Sequence, residues 1–199
     1  MVGLLILGGG VGMLIHLDLG TDPLTAANTG LANQLGLSFG TMTMLAQMVM
    51  AIPVVLKRRD LIGLGTIIAL FAMGYVIEYS ALMWEVLLVT EFTMLIRVGL
   101  LLITLVVVAI SIALIIRADL GITFYDALGF AVEALTGGRF KFKYNRIFTD
   151  ALFVTIGFLF AAPIGVATLM TVVLIGPLVN FFKGVAERYI TFGMPSPSE

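Results

Sequence analysis

The same tripeptide, Asp-Leu-Gly, interrupts two apolar stretches of the chain, at residues 18–20 and again at 119–121. A shift of 101 residues superimposes the two breaks and also places Ala26 on Ala127. One further residue of shift aligns small residues of later stretches, Gly63 with Gly165 and Thr66 with Thr168. The chain is therefore predicted to contain two copies of one structural unit, which restricts the architectures open to it.

Composition indicates the environment of this duplicated unit. Hydrophobic residues make up 60% of the chain and charged residues 12%, with a mean hydropathy of +1.14, which predicts a polytopic membrane protein. Cysteine is absent and histidine occurs once, so disulfides, thiol nucleophiles and metal clusters are not expected. No catalytic motif is present, and the net charge of −1 gives no reason to expect nucleic acid as a partner. We predict neither an enzyme nor a bound cofactor.

Six stretches approach the length of about 20 residues that a membrane-spanning helix requires. They are 2–17, 39–56, 61–83, 93–116, 147–162 and 164–182. The first lacks a basic leader and a cleavage site, so we interpret it as a span and not as a signal peptide. After the first span of each copy comes an amphipathic stretch, at 21–37 and 123–135, that predicts an interfacial or re-entrant helix.

The basic residues predict the orientation of these spans. If the basic turn at 57–59 is cytoplasmic, ten of the 11 basic residues lie inside, and the exception is Arg97 in span four. Both termini are then cytoplasmic, and the two Asp-Leu-Gly breaks face opposite sides of the membrane. The predicted fold is an all-α membrane protein of six transmembrane helices in two inverted three-span repeats, each with a broken or re-entrant amphipathic helix after its first span. The repeats are 1–90 and 91–190, followed by a cytoplasmic tail at 191–199.

Three motifs of the first copy resemble a known family. They are Leu-Asp-Leu-Gly-Thr-Asp-Pro at 17–23, Gly-Leu-Ser-Phe-Gly-Thr at 36–41 and Gly-Leu-Gly-Thr at 63–66. This pattern is similar to that of the YczE/YyaS/YitT family of bacterial integral membrane proteins. The resemblance implies a multi-span protein of the bacterial cytoplasmic membrane in which transport or export is suspected, and it fixes no substrate. The second copy departs from the pattern, so we expect any site to be asymmetric.

Acidic residues at the breaks and within spans are the candidates for ion coupling. Asp18 and Asp119 end their spans where helix carbonyls lack partners, so each is predicted to bind a proton or sodium ion or, alternatively, to act as a helix cap in water. Glu78 lies within span three, where a charge is costly unless it faces a cavity or a partner, and Arg97 is a candidate partner. Arg146 and Asp150, four residues apart, are expected to form an ion pair at the membrane surface.

Polar residues of the first copy are the candidates for solute binding. The amino end of the first amphipathic helix favours anionic groups, although Asp22 before Pro23 is also an ordinary helix start. Gln47 lies near the middle of span two, where contact with a solute and hydrogen bonding between helices are both open. The predicted solute-binding residues are Asp22, Thr25, Asn28, Gln47 and Asp126.

The sequence thus favours a secondary transporter of a small organic solute, with its site between the two repeats and coupling to a proton or sodium ion. Its expected partners are the lipid bilayer and the solute, and a homodimer is left open. Two other classes remain: the substrate-binding subunit of an ECF-type vitamin importer, and an accessory membrane protein that transports nothing.

Overall fold

The computed structural model describes residues 1–89, 92–118 and 120–189, which form eight α-helices and a 3-10 turn at Arg59–Leu61. The helices are α1 (Val2–Leu17), α2 (Pro23–Leu35), α3 (Phe39–Lys57), α4 (Leu64–Leu87), α5 (Met94–Arg117), α6 (Phe124–Leu135), α7 (Phe142–Leu159) and α8 (Val166–Tyr189). These described residues contain no β-strand. The prediction of an all-α fold is confirmed, whereas Asp119 and the tail at 191–199 lie outside the described residues.

Four helices, α3, α4, α5 and α8, are long and apolar enough to cross a membrane. Helix α1 is apolar but has only 16 residues, and α7 carries three charged residues in its sequence. The chain is thus a helical protein with several candidate membrane spans. The crossing of a membrane six times remains a prediction.

Short polar side chains define where α2, α3 and α6 begin. Asp22 is the N-cap of α2, whose first residue is Pro23, and the helix ends at Gly36 in the left-handed conformation, with φ +64°. Ser38 caps α3, since its Oγ accepts from Thr41 N at 3.2 Å. Thr123 caps α6 in the same way. Both amphipathic stretches are therefore independent helices with their own start signals.

The helices pack as two groups of four. Helix α1 contacts α4 and α5, and α5 contacts α8. In the other group, α2 packs on α7, α3 packs on α6, and the hairpins α2–α3 and α6–α7 complete the set. Each contact among helices α1 to α4 has a counterpart among helices α5 to α8, with one exception. Helix α3 packs extensively on α4, and this contact joins the two groups of helices.

Glycines on α1 show how the first group is oriented. Gly3 faces Ile115 and Gly10 faces Val108, so α1 and α5 run antiparallel. Gly8 and Gly12 approach α4 closely, because a residue without a side chain lets the two helices come together. Helices α1 and α5, which precede the two Asp-Leu-Gly breaks, therefore point in opposite directions.

The Asp-Leu-Gly breaks dock reciprocally between the two halves. Gly65 N, at the start of α4, donates to Leu120 O at 2.8 Å, and Ala167 N, at the start of α8, donates to Leu19 O at 2.9 Å. Gly20 and Gly121 have φ of +99° and +95°, and a Cβ on either would collide with the backbone of the opposite half. Each break thus contacts the helix start that the other copy provides.

Small residues of α4 and α8 take part in this docking. The Thr66 hydroxyl donates to Ile122 O at 2.8 Å, and Thr66 and Thr168 are both buried. Gly63 and Gly165 pack closely against the backbone of Leu120 and Leu19, respectively, whereas a Cβ added at Gly176 would have nothing within 4 Å.

Candidate functional site

The amino end of α2 combines a helix cap with a half-buried carboxyl group. Asp22 Oδ1 accepts from Thr25 N at 3.1 Å, and the neighbouring Thr21 and Thr25 are buried. Burial raises the pKa of the Asp22 carboxyl, while hydrogen bonding to Thr25 and the positive charge of Arg146 act against the rise. Asp22 therefore has the predicted capping role, and it also lies within electrostatic reach of α7.

The amino end of α6 is built differently. Thr123 Oγ1 accepts from Asp126 N at 3.2 Å and donates to Asp126 Oδ2 at 2.8 Å. Thr123, and not Asp126, is the cap, as expected from the position of Asp126 within the helix. The other oxygen of Asp126, Oδ1, accepts a hydrogen bond from Arg146 of α7.

Arg146 of α7 is the centre of an ionic cluster that includes two carboxylates and a phenol. Its Nη1 lies 2.8 Å from Asp126 Oδ1, and its Nε lies 3.3 Å from Asp150 Oδ1. The guanidinium carbon is 4.2 Å from the centre of the Tyr125 ring, and the Tyr125 hydroxyl donates to Asp150. These contacts hold the guanidinium on three sides, a geometry that favours Arg over Lys.

The predicted pairing of Arg146 with Asp150 is confirmed, and both side chains are partly buried within the protein. The side chain of Asp150 is only 16% exposed, because Tyr125 and Arg146 enclose it. The pair belongs to a network between α6 and α7. Asp22 also lies within electrostatic reach of Arg146, so three carboxyl groups share one guanidinium and acidic groups are in excess.

Two predicted solute-binding residues, Asn28 and Gln47, lie in the interface between α2, α3 and α4. Asn28 Nδ2 donates to Thr43 Oγ1 at 3.2 Å, and Gln47 Nε2 donates to Ala69 O at 3.3 Å. Both side chains are buried, and the amide oxygen of each has no hydrogen-bond partner. Helices α6 and α7, the hairpin that corresponds to α2–α3, are also joined by a buried amide, since Asn145 Nδ2 donates to Gly129 O at 3.1 Å.

Two of the three predicted ion-coupling residues, Asp18 and Glu78, lie within the described residues. Asp18 is exposed and ends α1 in the left-handed conformation, with φ +53°, whereas Asp119 lies outside the described residues. Glu78 Oε2 accepts from Gly40 N at 3.0 Å, so this carboxyl group satisfies the start of α3. An ion pair between Glu78 and Arg97 is not found within 1–89, 92–118 and 120–189.

Tyr125, Thr43 and the central role of Arg146 were missed by the sequence reasoning. Spacing alone pairs Arg146 with Asp150, but their enclosure depends on α6 folding back on α7, for which the stacked rings of Phe130 and Phe142 are one contact. A usable signal was present, because Tyr125 and Asp126 stand together at the start of an otherwise apolar helix. The described part of the chain brings no three His, Cys, Asp or Glu side chains into a metal-binding group.

Comparison with known proteins places the chain in a family. The model of a family described as "Family of unknown function (DUF6198)" matches residues 1–184. The chain belongs to the DUF6198 family. This DUF6198 chain is also 30% identical to the uncharacterized protein YyaS of Bacillus subtilis (strain 168) over 191 residues, which cover 94% of the chain and 92% of the relative. The resemblance to YyaS-like proteins is thereby confirmed, and no solved structure matches the DUF6198 chain.

Proposed function

We propose that the protein is an ion-coupled secondary transporter of a small organic solute, working by alternating access in the bacterial cytoplasmic membrane. The observation that carries the proposal is the cluster of Arg146, Asp126, Asp150 and Tyr125, which lies within electrostatic reach of Asp22 at the start of α2. Ionisable groups inside a membrane protein are costly and mark solute or ion pathways. Here they gather at the starts of two broken helices, as in transporters with discontinuous helices.

An inverted repeat of six spans is part of this proposal. It is supported by the antiparallel arrangement of α1 and α5 and by the reciprocal docking of the two breaks. Helix α7 fits as a span because Arg146 and Asp150 are bound to α6 instead of facing lipid. Both termini then lie in the cytoplasm, and the protein acts on a solute without chemical conversion.

Arg146 is the residue that we expect to respond to solute. Arg146 is shared by Asp126 and Asp150, so an acidic group of a solute can replace one of these carboxylates. A proton on the other carboxylate can then compensate the negative charge that the solute brings. Such an exchange of partners provides two states of similar energy. Movement of α6 relative to α7 accompanies the exchange, because Asp126 and Asp150 belong to different helices.

The experiment begins with thermal unfolding of the purified protein against amino acids, vitamins, nucleosides and hydrophobic drugs, at acidic and neutral pH, with and without sodium. A ligand at 100 times its Kd stabilises by about 2.7 kcal/mol. A stabilising solute is then tested for counterflow in proteoliposomes. Counterflow that depends on pH or sodium supports the proposal.

The matched variants are Arg146→Lys and Arg58→Lys. Arg58 also binds an aspartate, Asp60, at 2.8 Å, but this carboxyl group is exposed and belongs to no larger ionic cluster among the described residues. We expect Arg146→Lys to lower transport at least about tenfold, equivalent to about 1.4 kcal/mol, and Arg58→Lys to leave it unchanged. Equal transport by both variants contradicts the assignment of the site. If no solute binds and ATPase subunits co-purify, the ECF-type alternative replaces the proposal; other stable partners without counterflow favour an accessory protein.

A further inference from the structure

The buried amides of Asn28 and Gln47 each leave an oxygen without a donor. Their side chains are 1% and 3% exposed, so bulk water does not reach them. The orientation of Gln47 is fixed by chemistry, because its Nε2 donates to Ala69 O, which can only accept. Its free Oε1 is therefore an acceptor. A buried acceptor without a partner costs about 1–3 kcal/mol, and such groups call for an explanation.

The two oxygens belong to one small region of the fold. Asn28 is bonded to Thr43, and Thr43 precedes Gln47 by one helical turn on α3, a spacing that puts side chains on the same face. Thr43 is itself buried and keeps a second lone pair on its hydroxyl. The three buried side chains that carry these neutral oxygen atoms are thus linked through Thr43, on one face of α3 that packs against α2 and α4.

We propose that Asn28, Thr43 and Gln47 form a binding site for a sodium ion. Oxygen atoms are the ligands of hard cations, and amide oxygens are common among them. None of the three side chains carries a charge, which favours a monovalent ion over a divalent one, because the cost of removing an ion from water rises steeply with its charge. The near-complete burial of the side chains leaves no opening through which an organic solute could contact them.

The assignment of this ion as the coupling ion rests on the transport function proposed above, whereas binding itself does not. A site between α2 and α3 would connect ion binding to the amino-terminal broken helix. Asn28 lies on α2, two turns from Asp22, so an ion held by Asn28 and Gln47 fixes α2 against α3. Release of the ion frees α2 to move relative to α3.

The test is thermal unfolding of the full chain in detergent, titrated with sodium chloride, potassium chloride or choline chloride at constant ionic strength. We expect sodium to raise the melting temperature in a saturable manner and choline and potassium to have no such effect. Equal curves for sodium and choline, as expected if a water molecule fills the space, overturn the proposal. Stabilisation by potassium equal to that by sodium overturns it as well.

Variants locate the ion. Gln47→Met and Thr43→Val remove oxygen ligands at nearly constant volume, so we expect both to lose the sodium response, whereas Thr43→Ser keeps it. Gln34→Met, the same change at the exposed end of α2, is the control and retains the wild-type response. A sodium response that persists in Gln47→Met contradicts the site.

Failure of this site and failure of the transport proposal give different results. Sodium binding in detergent does not require transport, so a bound ion without counterflow rejects only the transport function. Counterflow that is independent of sodium, in a protein that sodium does not stabilise, rejects only the ion site and leaves a proton as the coupling ion.

Discussion

At the scale of single residues, Asp22 allows the effect of helix capping to be tested apart from the effect of the carboxylate charge. Burial raises its pKa, so the folded protein favours the protonated carboxyl group, and this contribution to stability is lost as pH rises through the raised value. An asparagine side chain at this position is uncharged at every pH and is an equally good N-cap. We predict that Asp22→Asn melts at a higher temperature than the wild type at neutral pH and that the difference disappears in acid.

Asp60 provides the control with the opposite sign. Hydrogen bonding to Arg58 lowers the pKa of Asp60, so its contribution to stability is present at neutral pH and is lost as pH falls. Asp60→Asn should therefore melt slightly lower than the wild type at neutral pH. If Asp22→Asn also melts lower, the charge of Asp22 stabilises the fold through Arg146, and our account of this residue is wrong.

Glu78 gives a second prediction at this scale. Its carboxylate accepts a hydrogen bond from Gly40 N, a role that a glutamine oxygen can also fill. We expect Glu78→Gln to lower the free energy of unfolding by less than about 1 kcal/mol and Glu78→Leu to lower it by about 1–3 kcal/mol. Denaturant unfolding in detergent measures both. A pH dependence of transport that is lost in Glu78→Gln would instead support the predicted role of Glu78 in ion coupling.

The sequence predicted individual site residues with unequal success. Asp22, Asn28 and Gln47 were found because polar groups stand out in apolar sequence, and the structure places all three at helix interfaces or starts. Enclosure of Arg146 could not be predicted, because it depends on Tyr125, a residue from another helix. Periodicity describes one helix at a time, so contacts between helices lie beyond it.

At the scale of helices and loops, the docking of each break depends on a glycine. Gly20 and Gly121 have positive φ, and a methyl group on either would collide with the backbone that it contacts. We predict that Gly20→Ala and Gly121→Ala each lower the free energy of unfolding by about 3 kcal/mol, from backbone strain and steric collision together. Unfolding in denaturant and the yield of folded protein are the measurements.

Gly36→Ala is the matched control for these loop variants. Gly36 also has a positive φ, of +64°, but a Cβ there would have nothing within 4 Å. The cost should be limited to the left-handed conformation, about 1–2 kcal/mol. If all three substitutions cost the same, the docking contributes little to stability.

Helix positions were largely predictable, and the exception is informative. The two amphipathic stretches became α2 and α6 within two residues of their predicted limits, because caps and apolar spacing are local signals. Helix α7 starts at Phe142 and not at 147, since Glu133 Oε2 accepts from Phe142 N at 2.8 Å. The group that caps α7 therefore belongs to the preceding helix. The charged and polar sequence before residue 147 carries no local signal for the start of a helix.

At the scale of the whole molecule, orientation in the membrane can be tested directly because the chain contains no cysteine. Gln34, at the end of α2, and Arg139, after α6, are exposed positions in corresponding parts of the two copies. We predict that an impermeant thiol reagent added to intact cells labels Gln34→Cys and that Arg139→Cys is labelled only after the membrane is opened. Labelling of both from one side would contradict the inverted repeat.

The reciprocal docking also has a consequence for biosynthesis. The start of α4 contacts Leu120 O through Gly65 N, and the start of α8 contacts Leu19 O through Ala167 N. The ribosome makes residue 65 well before residue 120, so the amino-terminal half enters the membrane with its docking surface uncovered. We predict that neither half completes its fold alone, so a chain interrupted between α4 and α5 should be degraded unless the two fragments are produced in the same cell.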